Sequence, residues 1–205
     1  MLPYLNKSYD SKKRFCSYWH QINEIINLNP HKVLEIGVGN GFTSKYLKEK
    51  KVNIITLDID KKLNPDVVGS AVNMPFGNSS FDVVACYEVL EHLPYENFPR
   101  ALTEIYRVSN SYVILSLPDI SRVWHLYLDI PWLGEIKKLI PLPPLRPVRK
   151  IGEEHYWEIG DSAHPFRRII NDIKKAGFKI EKTYRVFENP YHRFFILKPN
   201  KPSCF

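Results

Sequence analysis

Cysteine is scarce in this sequence: Cys16, Cys86 and Cys204 form an odd set with no C-x-x-C pair. That pattern argues against a disulfide scaffold and against a thiolate zinc site, and marks the three as reduced structural thiols. Long apolar runs are lacking as well. No stretch is long and charge-free enough to span a bilayer, and residues 1–14, with Lys7, Lys12, Lys13 and Arg14, hold no apolar segment of signal-peptide length. The expectation is a soluble, cytoplasmic protein. Metal-ligand spacings and internal repeats are also missing, so no metal site and no solenoid is expected.

What is present is enough for one domain. The chain has 205 residues, 44% of them hydrophobic, sufficient for a single core, and residues 1–205 are read as one domain. The net charge of +7 favours anionic partners, but 22 acids are interspersed with 29 bases, so most of this charge is solvated surface.

Periodicity then sets the element order. Phe15, Trp19, Ile22, Ile25, Ile26 and Leu28 recur at helical spacing, and Pro30 closes the segment, so residues 1–30 carry a helical lead-in. A buried strand follows at 32–37, then a helix over 41–50 with Phe42, Tyr46 and Leu47 inward, and a strand at 52–58. Further strands are expected at 66–68, 80–86 and 111–117, with a helix at 95–108. Apolar strands alternating with helices predict an α/β fold: a mostly parallel sheet with helices on both faces. The tail differs. A helix over 163–176 ends at Gly177, and runs 178–187 and 191–198 meet at Glu188-Asn189-Pro190, predicting a C-terminal antiparallel hairpin. Residues 118–160 are Pro-rich and aromatic and are taken as an insertion or lid over the sheet edge.

Residues 33–41 read V-L-E-I-G-V-G-N-G. Glycines after a first strand let backbone approach a ligand, and amides at the next helix N-terminus attract an anion. Glu35 is an acid inside an apolar strand, where a carboxylate is costly without a partner. A dinucleotide turn needs G-x-G-x-x-G. Here position 42 is Phe and the third glycine comes one residue early, while Asp58 ends the second strand 21 residues after Gly37.

The runs L-E-I-G-V-G-N-G, T-L-D-I-D, A-V-N-M-P-F-G-N-S-S-F-D-V-V and Y-E-V-L-E-H-L, in this order, resemble the class I S-adenosylmethionine-dependent methyltransferases with their Rossmann-like sheet, and among these the small-molecule enzymes of the quinone-biosynthesis type. The resemblance covers roughly residues 31–118. It implies S-adenosyl-L-methionine as cofactor, with Gly37, Gly39 and Gly41 along the methionine moiety and Glu35 facing its amino group. It further implies Asp58 on the ribose hydroxyls, Ile59 and Met74 around the adenine, and Ser70, Ala71 and Tyr87 in the same pocket. Ser70 stands where the family often has an acid, so a hydroxyl would take over the acceptor role toward the adenine amino group.

The candidate catalytic residues are His92 and His155. His92 follows Glu88 and Glu91, and shapes the pocket sooner than it acts as a base. His155, in G-E-E-H-Y-W, either reaches the acceptor site from the insertion or sits on the surface. His20, His31, His125, His164 and His192 gain no role. N-P-Y at 189–191 resembles a nucleic-acid amino-methylation motif but lies at the wrong strand end, so it is read as a turn.

The expected acceptor is a small molecule, or one linked to a lipid or glycan. The basic charge admits RNA as an alternative. P-L-P-P-L-R-P at 141–147 admits a non-catalytic cofactor-binding adaptor that docks a partner through polyproline. The apolar stretch 123–140 reads first as a pocket lid made of short amphipathic pieces, and second as a peripheral membrane contact.

Overall fold

The structure, a computed structural model, describes residues 9–143 and 154–201. Helix α1 (Lys12–Leu28) starts where the Ser11 hydroxyl accepts the Arg14 N–H, and stops at Asn29 in the left-handed region. A glycine loop separates β1 (Val33–Ile36) from α2 (Phe42–Glu49); β2 (Ile54–Asp58), β3 (Val67–Val68) and β4 (Phe81–Tyr87) follow. Next come α3 (Phe98–Val108), β5 (Ser109–Pro118), a hairpin of β6 (Val123–Ile130) and β7 (Gly134–Pro141), α4 (Phe166–Lys175), β8 (Phe178–Arg185) and β9 (His192–Pro199).

Seven strands form one sheet in the order β3-β2-β1-β4-β5-β9-β8. The first five are parallel, and β9 runs antiparallel to both β5 and β8. Alternation along each strand divides the core into two layers. Leu34, Ile36, Val84, Cys86 and Leu115 pack with Leu102 and Ile105 of α3 and Ile169 and Ile173 of α4. Val33, Ala85, Tyr87, Ile114 and Phe194 pack with Ile25 of α1 and Leu47 of α2. Both faces are therefore covered, as continuous apolar strands require.

Two helices bury other faces than their apolar residues suggest. On α1 the buried residues are Ser17, Tyr18, Gln21, Glu24 and Ile25, while Phe15, Trp19 and Ile26 are exposed. The reason is specific polar pairing: Thr43 donates to Gln21 Oε1 at 2.6 Å, and Tyr184 and Lys182 donate to Glu24 Oε1 at 2.7 and 2.8 Å. On α2, Tyr46 is exposed and Phe42 half-buried, against the expectation that both face inward; Thr43, Ser44 and Leu47 are the buried set.

The segment after β5 is also corrected. In place of short amphipathic pieces lying over the sheet, residues 123–141 form one antiparallel ribbon, with Trp124 opposite Ile140 and Ile130 opposite Gly134. Its turn holds Trp132 and Gly134 at positive φ. The proline motif begins at Pro141, and its residues 144–147 lie outside the described residues.

Where β5 ends, Asp119 is buried. Its Oδ2 accepts from Arg193 Nε at 2.6 Å, its Oδ1 from the Ser121 N–H at 2.8 Å, and its carbonyl from Arg185 Nη2 at 3.0 Å. Removing one partner of a buried pair leaves the other charge uncompensated. Asp119→Ala is expected to lower the unfolding free energy by about 3–5 kcal/mol, measured by urea denaturation; a loss within error of zero would show that the pair is solvated.

Candidate active site

Strand order reverses between β1 and β4, whose chain neighbours leave toward opposite sheet edges, and such a switch point leaves a crevice at the strands' carboxyl ends. A cleft of about 280 Å³ lies there. The loop after β1 supplies Gly37, Val38, Gly39 and Asn40, the end of β2 supplies Asp58, Ile59 and Asp60, and the end of β4 supplies Tyr87, Glu88 and Val89.

The loop is fixed from below. Gly37 has φ +84° and donates to the Leu57 carbonyl at 2.8 Å. A Cβ at this position would stand 2.2 Å from a Val89 methyl, so the approach of the β4 loop also requires glycine here. Asp58 joins two turns: its Oδ2 accepts the Val38 N–H at 2.8 Å and its Oδ1 the Asp60 N–H at 2.9 Å. A carboxylate has about four acceptor positions, so two remain for a ligand. Above Gly39 there is open space.

Glu35, at the floor of the cleft, is 3% exposed, and its Oε2 has no partner. Burial pushes its carboxyl up to about 8, opposed by the Ser44 hydroxyl and by Lys48. Tyr87 lies across from it, buried, with its hydroxyl donating to the Gln21 carbonyl at 3.2 Å. From α1, Tyr18 stacks on Phe42 at 4.9 Å and accepts from Asn40 at 3.0 Å, so the N-terminal helix closes one side of the cleft with Arg14, Tyr18 and Gln21.

The residues expected around a cofactor are distributed as follows. Glu35, Gly37, Gly39, Asp58, Ile59, Ser70, Ala71, Tyr87 and His92 line the cleft. Gly41 does not; at φ +72° it is the cap of α2, one step behind the loop. Met74 does not line it either: it is 4% exposed and packed in the core, with its N–H donating to Glu104 at 2.8 Å and its carbonyl accepting from Arg107 at 3.0 Å. Leu63, which sequence reasoning passed over, lines the cleft beside the exposed Ile59.

The far side of the cleft collects ionisable groups. Glu88 takes φ +53°, a strained conformation for a non-glycine residue; Ser116 donates to its Oε1 at 2.8 Å. His192 is buried, with Nε2 3.8 Å from Glu88, and burial lowers its pKa. Glu91 is fully buried, both of its oxygens are without partners, and burial with Glu88 and Glu158 nearby holds its carboxyl well above the usual range.

The returning segment 154–159 runs along residues 91–93: the Tyr156 N–H donates to the Glu91 carbonyl at 2.9 Å, and the buried Trp157 donates to the Leu93 carbonyl at 3.1 Å. This seats His155 against His92, with ring centroids 4.8 Å apart. The two candidate histidines thus meet, although only His92 lines the cleft. No metal set was expected, yet Glu91, His92 and His155 each bring one ligand atom within 4.8 Å of the others. Sequence spacing hides this group, because the histidines stand 63 positions apart. One signal was legible, since Glu88 and Glu91 interrupt an apolar run as Glu35 does.

The chain is similar to known proteins. Residues 34–115 match the family described as methyltransferase domain. An uncharacterized protein of Methanocaldococcus jannaschii is 29% identical over 182 residues, 79% of this chain and 68% of that protein. An uncharacterized methyltransferase of Schizosaccharomyces pombe is 32% identical over 120 residues, and the match spans 53% of this chain and under half, 45%, of that protein. The structure of Burkholderia thailandensis 1,6-didemethyltoxoflavin-N1-methyltransferase with bound S-adenosylhomocysteine superposes with a TM-score of 0.62 at 12% identity, over 95% of this chain and 80% of that one. Over residues 34–115 the chain is thus similar to the methyltransferase-domain family, and its sheet order, with the cleft at the switch point, has the fold of solved S-adenosylmethionine-dependent methyltransferases.

Proposed function

We propose that this methyltransferase acts on an amphipathic, lipid-linked acceptor. The observation that carries the reading is the outward face of the β6–β7 ribbon. Paired strand residues share a face, so Trp124, Leu126, Leu128, Ile130, Ile136 and Ile140 fall together with Lys138 as the one charge among them. The opposite face turns to the body, where His125 meets the Phe187 carbonyl at 3.0 Å and Lys137 lies 3.8 Å from Glu188. At the tip Trp132 is fully exposed and Leu133 is 76% exposed. An apolar face with an aromatic tip and a single lysine suits an acyl chain or lipid headgroup region better than a polar metabolite. The ribbon leaves the sheet at the carboxyl end of β5, the same end as the cleft. No helix among the described residues is long and apolar enough to cross a membrane.

The residues present fit the cofactor. The orphaned Glu35 oxygen matches an ammonium group, the open space over Gly39 admits backbone-close binding, and Asp58 keeps acceptor positions for ribose hydroxyls. Bound there, S-adenosylmethionine supplies a sulfonium-activated methyl group. Ile59, Leu63, Ser70 and Ala71 would take the adenine, with the Ser70 hydroxyl in place of the usual acid. Tyr87 and the α1 side chains would exclude water, and positioning of the acceptor in line with the methyl group supplies most of the rate. His92 borders the space left for the acceptor, and His155 orients it from behind.

Two outcomes are expected. Without a ligand the Glu35 carboxyl sits near 8 against an ordinary 4.5. The folded chain then holds a proton that the unfolded chain releases, and stability falls as pH rises between those values. Glu35→Gln is expected to flatten that fall in thermal melts across this range. It is also expected to abolish the proton release, up to one per site, that calorimetry in two buffers of different ionisation enthalpy detects when S-adenosylhomocysteine binds at pH 7. Equal release in both proteins would place the amino group elsewhere.

The acceptor reading is tested by incubating the protein with S-adenosylmethionine labelled in the methyl group and separated lipid, polar-metabolite and RNA pools. Label is expected in the lipid fraction, and Trp124→Ala with Trp132→Ala is expected to raise the acceptor KM while S-adenosylhomocysteine affinity is unchanged. Label confined to RNA or polar metabolites, or kinetics indifferent to both tryptophans, overturns it.

A further inference from the structure

We propose that Glu91, His92 and His155 form a binding site for a divalent transition-metal ion at the acceptor side of the cleft. Three independent features of the fold converge on this site. The first is proximity: one ligand atom from each of the three residues lies within 4.8 Å of the others. Ligand atoms around a tetrahedral ion at about 2.0–2.1 Å stand about 3.4 Å apart, so the set would draw in by up to about 1.4 Å around one.

The second is the state of Glu91. It is fully buried and both carboxylate oxygens lack a partner, in a structure where the other buried acid on the sheet side of the cleft, Glu35, has the Ser44 hydroxyl beside it. Buried carboxylates are normally paired or coordinate a metal. Glu88 and Glu158 nearby make this a region of negative charge, which repels an anion and attracts a cation.

The third is the way both imidazoles are held. His92 Nδ1 is 2.8 Å from the Glu154 carbonyl, and His155 Nδ1 is 2.8 Å from Glu158 Oε1, the same oxygen to which the Tyr191 hydroxyl donates. A carbonyl and a carboxylate accept, so each Nδ1 is the donor, and in the neutral imidazole this leaves the Nε2 lone pair for a metal ion. Metal-ligating histidines are fixed in this tautomer by such outer partners. Rigid backing completes the arrangement, because the Tyr156 N–H is tied to the Glu91 carbonyl and Trp157 is buried against Tyr95 and Phe98.

Two imidazoles and one carboxylate suit zinc, cobalt or nickel, and disfavour magnesium and calcium, which prefer oxygen donors. Three protein ligands leave a further position open, the form of a site that binds a substrate group. His92 borders the cleft, so an ion held by the three residues would stand at its edge.

The test uses the full chain stripped with chelator and titrated with Zn2+ or Co2+ alone, with Mg2+ as counter-probe. One equivalent of Zn2+ and of Co2+ is expected to bind, and Mg2+ is not. His155→Ala is expected to remove stoichiometric binding. Glu158→Gln, which alters only the outer partner, is expected to weaken it about 10- to 100-fold. S-adenosylhomocysteine affinity, unchanged in both variants because neither residue lines the cleft, shows that they are folded. Absence of a tight equivalent of either metal overturns the site, as does binding that His155→Ala leaves intact. Loss of S-adenosylhomocysteine binding in the wild-type chain would instead count against the cofactor reading and leaves the metal titration to be judged by itself.

Discussion

A parallel sheet that is wound in both directions from its first strand must open at its carboxyl end, because no connection crosses between β1 and β4 there. Everything at the site follows from that gap. The chain crosses its rim in two tight turns, one after β1 and one after β4, and these press on each other at Gly37 and Val89, where no Cβ fits. Asp58 fastens the first turn to the end of β2, and Ser116 fastens Glu88 at the second in a conformation that costs energy. Polar groups that a continuous sheet would satisfy are left facing the gap, and Glu35 is the clearest of them.

The sheet was legible because its strands are short apolar runs bounded by glycine, proline and helical segments. The lead-in helix, the βαβ unit and the C-terminal hairpin lie where periodicity puts them. Periodicity failed where burial is polar. Gln21, Glu24, Thr43 and Ser44 are buried because each meets a fitted partner across the fold, and apolar Phe15, Trp19 and Ile26 lie outside. The ribbon was missed for a different reason: Val123 and Tyr127 on the opposite face blur the alternation over 123–130, and the turn residues Pro131 and Gly134 read equally as helix breakers.

On the cofactor side, local motif sufficed to bring Glu35, Gly37, Gly39 and Asp58 to one cleft, because all are placed by β1, β2 and the turns after them. Met74 shows the limit. Its position in the motif is near the cleft, but Arg107 and Glu104 hold its backbone and its side chain packs in the core. The opposite wall is lined by Glu88, Val89, His92 and Leu93 and backed by residues 155–158 and 191–192, which only the sheet's antiparallel end and the returning loop bring together. Its carboxylates and histidines have little solvent to screen them, so their arrangement constrains what enters: a group that donates hydrogen bonds or carries positive charge is favoured there, and an anion is not.

The central claim is that this gap is built for S-adenosylmethionine and not for a nicotinamide dinucleotide, since Phe42 occupies the helix start where a dinucleotide turn needs close helix–strand packing. Isothermal titration of the full chain with S-adenosylhomocysteine and, separately, with NAD tests it most directly. One saturable site for S-adenosylhomocysteine and none for NAD is expected; saturable NAD binding with no response to S-adenosylhomocysteine would overturn the assignment.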